Sequence, residues 1–554
     1  MPITKHSGAL GLTWANKSLR LLAHDEGNYE WVDPSDFRVS EVRLLHSVSR
    51  VGEVHADRAR AKDNLLIRGD SLHALTSLLR IPEFAAEFEG KVKLVYIDPP
   101  FNTGQAFTHY DDGLEHSVWL TMLRDRLLQI KRLLRPDGSV WLHLDDYEQH
   151  RARCVLDEVF GTENFLATVL WQKAVGRDNR THISATHDFI HVYARSAGEW
   201  VKTRNLLART EEAEARYANP DGDPRGDWTS SDASAKAGPG RRKEQFYDIT
   251  LPSGRVVSPT QGRCWLFTRE RFDEMVADNR IWFGKGGDSA PRVKRFRFEV
   301  QEGLVPNTWW SSSEVDNNDV AKKEIKALLP GITPFETPKP ERLIERILHI
   351  GSNPGDIVLD CFAGSGTTAS VAHKMGRRWA TVEWSAENIA QFALPRLEKV
   401  VAGSDPGGIT SSSGWTGGGG FRLLDVAASV YEVDDATVLL AGNVTAGELA
   451  ESVAAQLGFA YELDGAFCGR KNLMRLAVID GVLNDDIVRL LVGALGENER
   501  VTVVATAAEP GAEDVLKSLR PGSKVRKVPR DLAKLSRRRS DVVQLVLSGL
   551  EVAP

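Results

Sequence analysis

The sequence predicts an α/β fold: a parallel sheet split by an irregular insert and followed by a smaller α/β domain. Three observations carry this reading. Short apolar runs alternate with helical stretches over residues 61–200 and again over 331–401. Residues 201–330 lose that rhythm and are rich in Gly, Pro, Arg and Trp. The stretch AGSDPGGITSSSGWTGGGG (402–420) reads as a flexible Gly/Ser linker, with a small α/β domain at 421–554 beyond it. Residues 1–60 form an N-terminal extension without a clear pattern. The chain has 554 residues, and a single core stops growing at roughly 250–300, so more than one domain is expected.

The elements follow in order. NLLIRGDSLHALTSLL (64–79) is a strand, a Gly-Asp turn and a helix. KVKLVYID (91–98) is a second strand. SVWLTMLRDRLLQIKRLL (117–134) has apolar residues at helical spacing and stops at RPDG. SVWLHL (139–144) and FIHVYA (189–194) are strands. After the insert, KPERLIERILHIG (339–351) is a helix, DIVLDCFAGSGTTASVAHKMG (356–376) is strand–loop–helix, and RRWATVEW (377–384) is a strand.

Composition excludes several classes. The hydrophobic fraction of 42% and charged fraction of 26% are those of a soluble globular protein. No run of about 18 apolar residues occurs to span a membrane, and MPITKHSGALGLTW has no apolar core of a signal peptide. Cys154, Cys264, Cys361 and Cys468 lie far apart without a C-x-x-C or Cys/His cluster. Neither a metal site nor a disulfide framework is expected, and a reducing cytoplasm fits. A net charge of −6 argues against an overall basic coat and leaves room for a local basic patch.

Two stretches carry chemistry. In VLDCFAGSGTTA a strand ends at Asp360, and a loop with Gly364 and Gly366 leads into a helix near Thr367. Glycines there let the backbone approach a ligand. Glu383 ends the next strand, where a ribose-binding acid sits in nucleotide-binding βαβ units. The loop lacks the third glycine of G-x-G-x-x-G and the Gly-Lys-Ser/Thr of a P-loop, which favours a nucleoside cofactor without phosphates. The alternative is a tight strand–helix turn. The second stretch is VYIDPPFNTGQ (95–105), a core strand that ends in an acid, two prolines and a ring.

Together the two stretches resemble the amino-methylating DNA methyltransferases of the β arrangement, in which D-P-P-Y/F precedes the target-recognition region and the cofactor loop follows it. The resemblance is closer to the Mod subunits of Type III restriction-modification systems. It extends through GLTWANKS (11–18), DGSVWLHLDDYEQHRARCVLDEVFGTENF (137–165), HDFIHVYARS (187–196), NNDVAKKEIKALLPG (317–331) and TPKPERLIERIL, over most of residues 10–400. It implies a Rossmann-like sheet that binds S-adenosylmethionine, an inserted target-recognition region at 201–330, and methyl transfer to adenine N6.

The resemblance implies roles for particular residues. Asp98 and the Pro99 carbonyl accept the two N–H groups of the target amine. Pro99 and Pro100 fix the backbone, and Phe101 stacks on a base flipped from the duplex. Phe362, Ala363, Gly364, Ser365, Gly366 and Thr367, with Asp360, surround the cofactor. Glu383 accepts from the ribose, Trp384 lies against the adenine, Asp70 accepts from its amino group and Lys339 faces the methionine carboxylate. The alternatives are a turn cap at Asp98, a core ring at Phe101, a helix cap at Asp70 and a solvated Lys339.

For nucleic acid, residues 225–300 hold 15 Lys/Arg against 10 Asp/Glu. Trp228, Phe246, Tyr247, Trp265, Trp282 and Phe283 are interleaved. Arg241, Arg242 and Lys243, with Arg292, Lys294 and Arg295, are the densest patches and are expected at DNA phosphates. The alternative is a solvated loop region with a few packing aromatics. The basic run at 524–539 reads equally as a DNA or partner contact and as a solvated helix face. By resemblance the partners are double-stranded DNA, a second copy of the chain and a helicase-nuclease (Res-type) subunit. Two rivals remain: a cytosine N4-methyltransferase, whose family usually has Ser at the position of Asp98, and a non-catalytic specificity module of a nuclease.

Overall fold

Ten strands form the main sheet of the computed structural model, which describes residues 11–23, 29–102, 106–107, 110–111, 115–237, 243–434 and 437–528. They are β1 (Leu45–Gly52), β2 (Asn64–Arg68), β3 (Val92–Ile97), β4 (Leu134–Leu144), β5 (Phe165–Gln172), β6 (His187–Ala194), β7 (Trp309–Trp310), β8 (Ile357–Asp360), β9 (Arg378–Glu383) and β10 (Gly420–Val426). Their order across the sheet is β7-β5-β6-β4-β3-β8-β9-β2-β10-β1. The six central strands from β4 to β10 run parallel. At one side β6 turns antiparallel to β4 and to β5. At the other, β1 runs antiparallel to β10. This is a Rossmann-like α/β arrangement with antiparallel edges.

The central strands are continuous apolar runs because both faces are covered. All six residues of β3 and all four of β8 are buried. Lys93 is buried within β3, and its ammonium meets Asp137 at 2.9 Å. The covering helices include α1 (Ser71–Arg80), α2 (His116–Leu133), α3 (Glu341–Gly351) and α4 (Thr367–Lys374). At the start of α3, Glu341 is 2% exposed and is held by Lys374 at 2.7 Å and Arg396 at 2.8 Å. Burial alone would raise this carboxyl, but the two cations hold it down at about 2.

The chain separates into two compact units, one of residues 1–205 with 307–554 and one of residues 206–306. In the second, Trp228–Asp232, Arg292–Phe296 and Ile281–Trp282 form a three-stranded sheet. The aromatic residues here are mainly core: Trp228 is 4% and Trp265 5% exposed, and Tyr247 and Phe283 pack against the same cluster as Trp265.

The segment 402–420, read from composition as flexible, is ordered. The Trp415 indole donates to the Val400 carbonyl, Gly418 N to the Val401 carbonyl, and His373 meets the Gly418 carbonyl. Its glycines make tight turns, and Gly420 opens β10 of the main sheet. Beyond it, Ala460–Asp464, Phe467–Lys471, Met474–Leu483, Arg500–Ala508 and Lys524–Lys527 form a five-stranded mixed sheet. Residues 529–539 of the basic run lie outside the described residues. No helix among the described residues is long and apolar enough to cross a membrane.

Candidate active site

The informative stretches meet at the C-terminal ends of adjacent parallel strands. Asp98 follows β3, Asp360 ends β8, Glu383 ends β9 and Asp70 follows β2. The register places Leu359 beside Val95, Asp360 beside Thr381, and Glu383 beside Arg68. In open α/β sheets this edge is where ligands bind.

At the first position Asp98 has two unlike oxygens. Oδ2 accepts from Lys339 Nζ at 2.5 Å. Oδ1 is buried and has no hydrogen-bond partner among the described residues, a costly state unless another donor arrives. Lys339 is 7% exposed and its ammonium also lies 5.2 Å from the Phe101 ring centre. Lys339, expected at a methionine carboxylate, is paired here with Asp98. Pro99 is buried and Pro100 half-buried. The Pro100 carbonyl accepts from the Trp119 indole at 2.6 Å. Asn102 takes a left-handed conformation with φ 62°, and its amide donates to the buried Glu148 at 2.8 Å. These contacts fix the Pro-Pro turn from both sides. Residues 103–105 lie outside the described residues.

The glycine loop is held against Glu383. Glu383 is 2% exposed; Oε2 accepts from Gly364 N at 2.8 Å and Oε1 from Ser385 N at 2.9 Å. Gly366 N donates to the Ala363 carbonyl at 2.8 Å, and Ala363 N to the Val382 carbonyl at 2.9 Å. Gly364 and Gly366 have φ of +50° and +76°. A Cβ at Gly364 would lie 3.3 Å from the Phe335 ring, and one at Gly366 3.2 Å from Ala393 Cα. Thr367 Oγ1 accepts from Arg396 at 2.8 Å and lies 3.3 Å from the buried Ser365 hydroxyl. Phe362 is half-buried and Trp384 is 48% exposed beyond the strand end.

Asp360 is 3% exposed and accepts from Phe362 N at 2.9 Å. Burial pushes its carboxyl up to about 7, and the charges of Asp98 and Glu383 add to the rise. The edge is therefore rich in carboxylates, and Lys339 is already engaged by one of them. That donor set fits the nucleoside and sulfonium of S-adenosylmethionine better than a pyrophosphate. Asp70 takes the cap alternative: Oδ1 accepts from Leu72 N at 2.5 Å and both oxygens meet Arg126 at 3.2 Å.

Of the residues expected at DNA, Arg292 and Arg295 are exposed on one strand and bond to Ser230 and Ser231. Lys243 is exposed. Lys294 is not a surface charge. It is 1% exposed and is held by Asp221 and Asp223. Arg241 and Arg242 lie outside the described residues. Sequence reasoning missed Tyr96, Trp119, Arg126, His143 and Glu148; a histidine inside the buried run SVWLHL was the one available signal.

A family model described as DNA methylase matches residues 92–393, from β3 to past Glu383. A protein named Probable type III restriction-modification enzyme HindVI Mod subunit, from Haemophilus influenzae, is 31% identical over 68% of this chain and 56% of its own length. The StyLTI Mod subunit of Salmonella typhimurium is 29% identical, covering 55% of this chain and 49% of itself. The EcoP15I Mod subunit of Escherichia coli is 27% identical, covering 57% and 56%. The chain thus spans about half the length of these relatives. With more than half of its residues matched by that family model, across both chemical stretches and the insert between them, the chain belongs to the DNA methylase family.

Proposed function

We propose that this chain is a site-specific DNA methyltransferase that transfers a methyl group from S-adenosylmethionine to N6 of a flipped adenine. The observation that carries the reading is Asp98: one oxygen anchored by Lys339, the other buried and without a partner among the described residues, beside Phe101 and one strand from the glycine loop. The cofactor, when bound, supplies an electrophilic methyl group on sulfur. The exocyclic amine is a weak nucleophile because its lone pair is delocalised into the ring. Asp98 Oδ1 accepts one N–H, and the Pro99 carbonyl accepts the other. These acceptors draw the nitrogen towards sp³ and aim its lone pair. The Pro-Pro turn holds them before the substrate arrives, so little reorganisation is needed at the reacting moment. Phe101 stacks on the extruded base and replaces the neighbours it lost. Glu383 and the loop from Phe362 to Thr367 hold the cofactor, with Trp384 beside its adenine.

The relatives' names place them as Mod subunits of Type III enzymes. By that likeness we propose that this chain modifies and selects the site in a Type III-like system. It acts as a homodimer and pairs with a helicase-nuclease subunit. Residues 206–306 supply target recognition, with Lys243, Arg292 and Arg295 at the phosphates. Asp98→Ala tests the reading: methyl incorporation into DNA should fall about 100- to 1,000-fold or more, with cofactor binding unchanged. Undiminished methylation would contradict it.

A further inference from the structure

Behind Phe101 runs a buried line of polar side chains that the methyl-transfer reading does not use. His143, on β4, is fully buried and stacks against Phe101, with ring centres 6.0 Å apart and planes 26° apart. Both of its nitrogens are occupied. Nδ1 lies 2.8 Å from the Tyr96 hydroxyl and Nε2 3.3 Å from Asp188 Oδ2. A carboxylate only accepts, so Nε2 carries the proton and Nδ1 accepts from Tyr96. The other oxygen of Asp188 meets Lys173 Nζ at 2.6 Å. Trp171 closes the remaining side edge-on, its ring centre 5.3 Å from that of the imidazole.

We infer that His143 is a positioning residue for methyl transfer, a fixed plate that holds Phe101 where the flipped base must stack. The inference rests on the methyltransferase reading above. Phe101 follows a turn and is only half-buried, so the rings and side chains packed on it, His143 among them, must select its rotamer. A ring pinned at both nitrogens cannot rotate, and ordering Phe101 in advance removes that cost from the binding step. A leucine would fill the space with no polar atom to satisfy. The imidazole demands partners from β3 and β6, and a fully satisfied buried network specifies one geometry. His143 touches neither substrate nor cofactor in this account; it acts through Phe101.

The test measures methyl incorporation into genomic DNA from a host without DNA methylation, using the full-length parent, His143→Leu, Tyr96→Phe and Lys173→Met. For His143→Leu, kcat should fall about 10- to 100-fold, the size expected for a misplaced reacting group. Its Kd for S-adenosylmethionine and KM for DNA should stay within about threefold of the parent's. Tyr96→Phe and Lys173→Met should lower kcat less, in the same pattern. A kcat equal to the parent's in His143→Leu would overturn the inference. If that variant loses cofactor binding through misfolding, the two milder variants decide: lowered kcat with unchanged cofactor Kd supports the inference, and unchanged kcat overturns it. A parent that transfers no methyl group would instead contradict the methyltransferase reading itself.

Discussion

Asp98 and Asp360 illustrate how burial assigns different work to the same side-chain type. Asp98 has a cation at one oxygen and, among the described residues, no donor at the other. Asp360, one strand away, has no cation partner among the described residues and is raised to about 7 by burial. That rise has a consequence for stability. In the unfolded chain the carboxyl ionises near 3.8, in the folded protein only near 7. Between those values folding takes up a proton at Asp360, so the contribution of this group to stability falls as pH rises from about 4 to 7 and then levels. Thermal melts across that range should give a shallower slope for Asp360→Asn than for the parent; an identical slope would refute the assignment. Lys339 yields a second expectation. Because it pairs with Asp98, Lys339→Gln should lower kcat about tenfold or more and leave the Kd for S-adenosylmethionine within about threefold. A large rise in that Kd with kcat intact would restore the role at the methionine carboxylate that the resemblance implied.

At the scale of elements, the strands and the turns that end them were legible from local signals. The run Val92–Ile97 and the loop from Asp360 to Thr367 announce themselves by apolar continuity and by glycines. What was not legible depends on partners distant in sequence. Asp70 finds Arg126 56 residues on, and His143 meets Asp188 45 residues on. Nothing local distinguishes a helix cap from a cofactor acceptor, or an inward lysine such as Lys294 from an outward one. The buried Trp228 and Trp265 of the insert follow the alternative of packing aromatics: a small unit needs aromatics for its own core. The glycine loop makes its own prediction. At Gly366 a Cβ would lie 3.2 Å from Ala393 Cα in a backbone with φ +76°. Gly366→Ala should therefore cost about 1–2 kcal/mol of strain and weaken S-adenosylmethionine binding about tenfold in calorimetry. Unaltered binding would show that the loop does not need the left-handed turn.

For the whole molecule, the division into residues 206–306 and the remainder separates the proposed recognition of DNA from the proposed chemistry. The insert's chain enters and leaves side by side, because Leu207 and Leu304 pair through both backbone hydrogen bonds. Replacing 208–303 by a short turn should leave S-adenosylmethionine binding within about threefold, while DNA affinity falls tenfold or more as its phosphate contacts are lost. Retained DNA affinity would move target recognition elsewhere in the chain. The central claim is the reaction and its target atom. The most direct measurement is mass spectrometry of nucleosides from the DNA of a methylation-free host expressing this protein. N6-methyladenine, absent when Asp98→Ala is expressed instead, is the predicted result. N4-methylcytosine would contradict the base assignment, and no methylated nucleoside from a folded protein that binds S-adenosylmethionine would contradict the account.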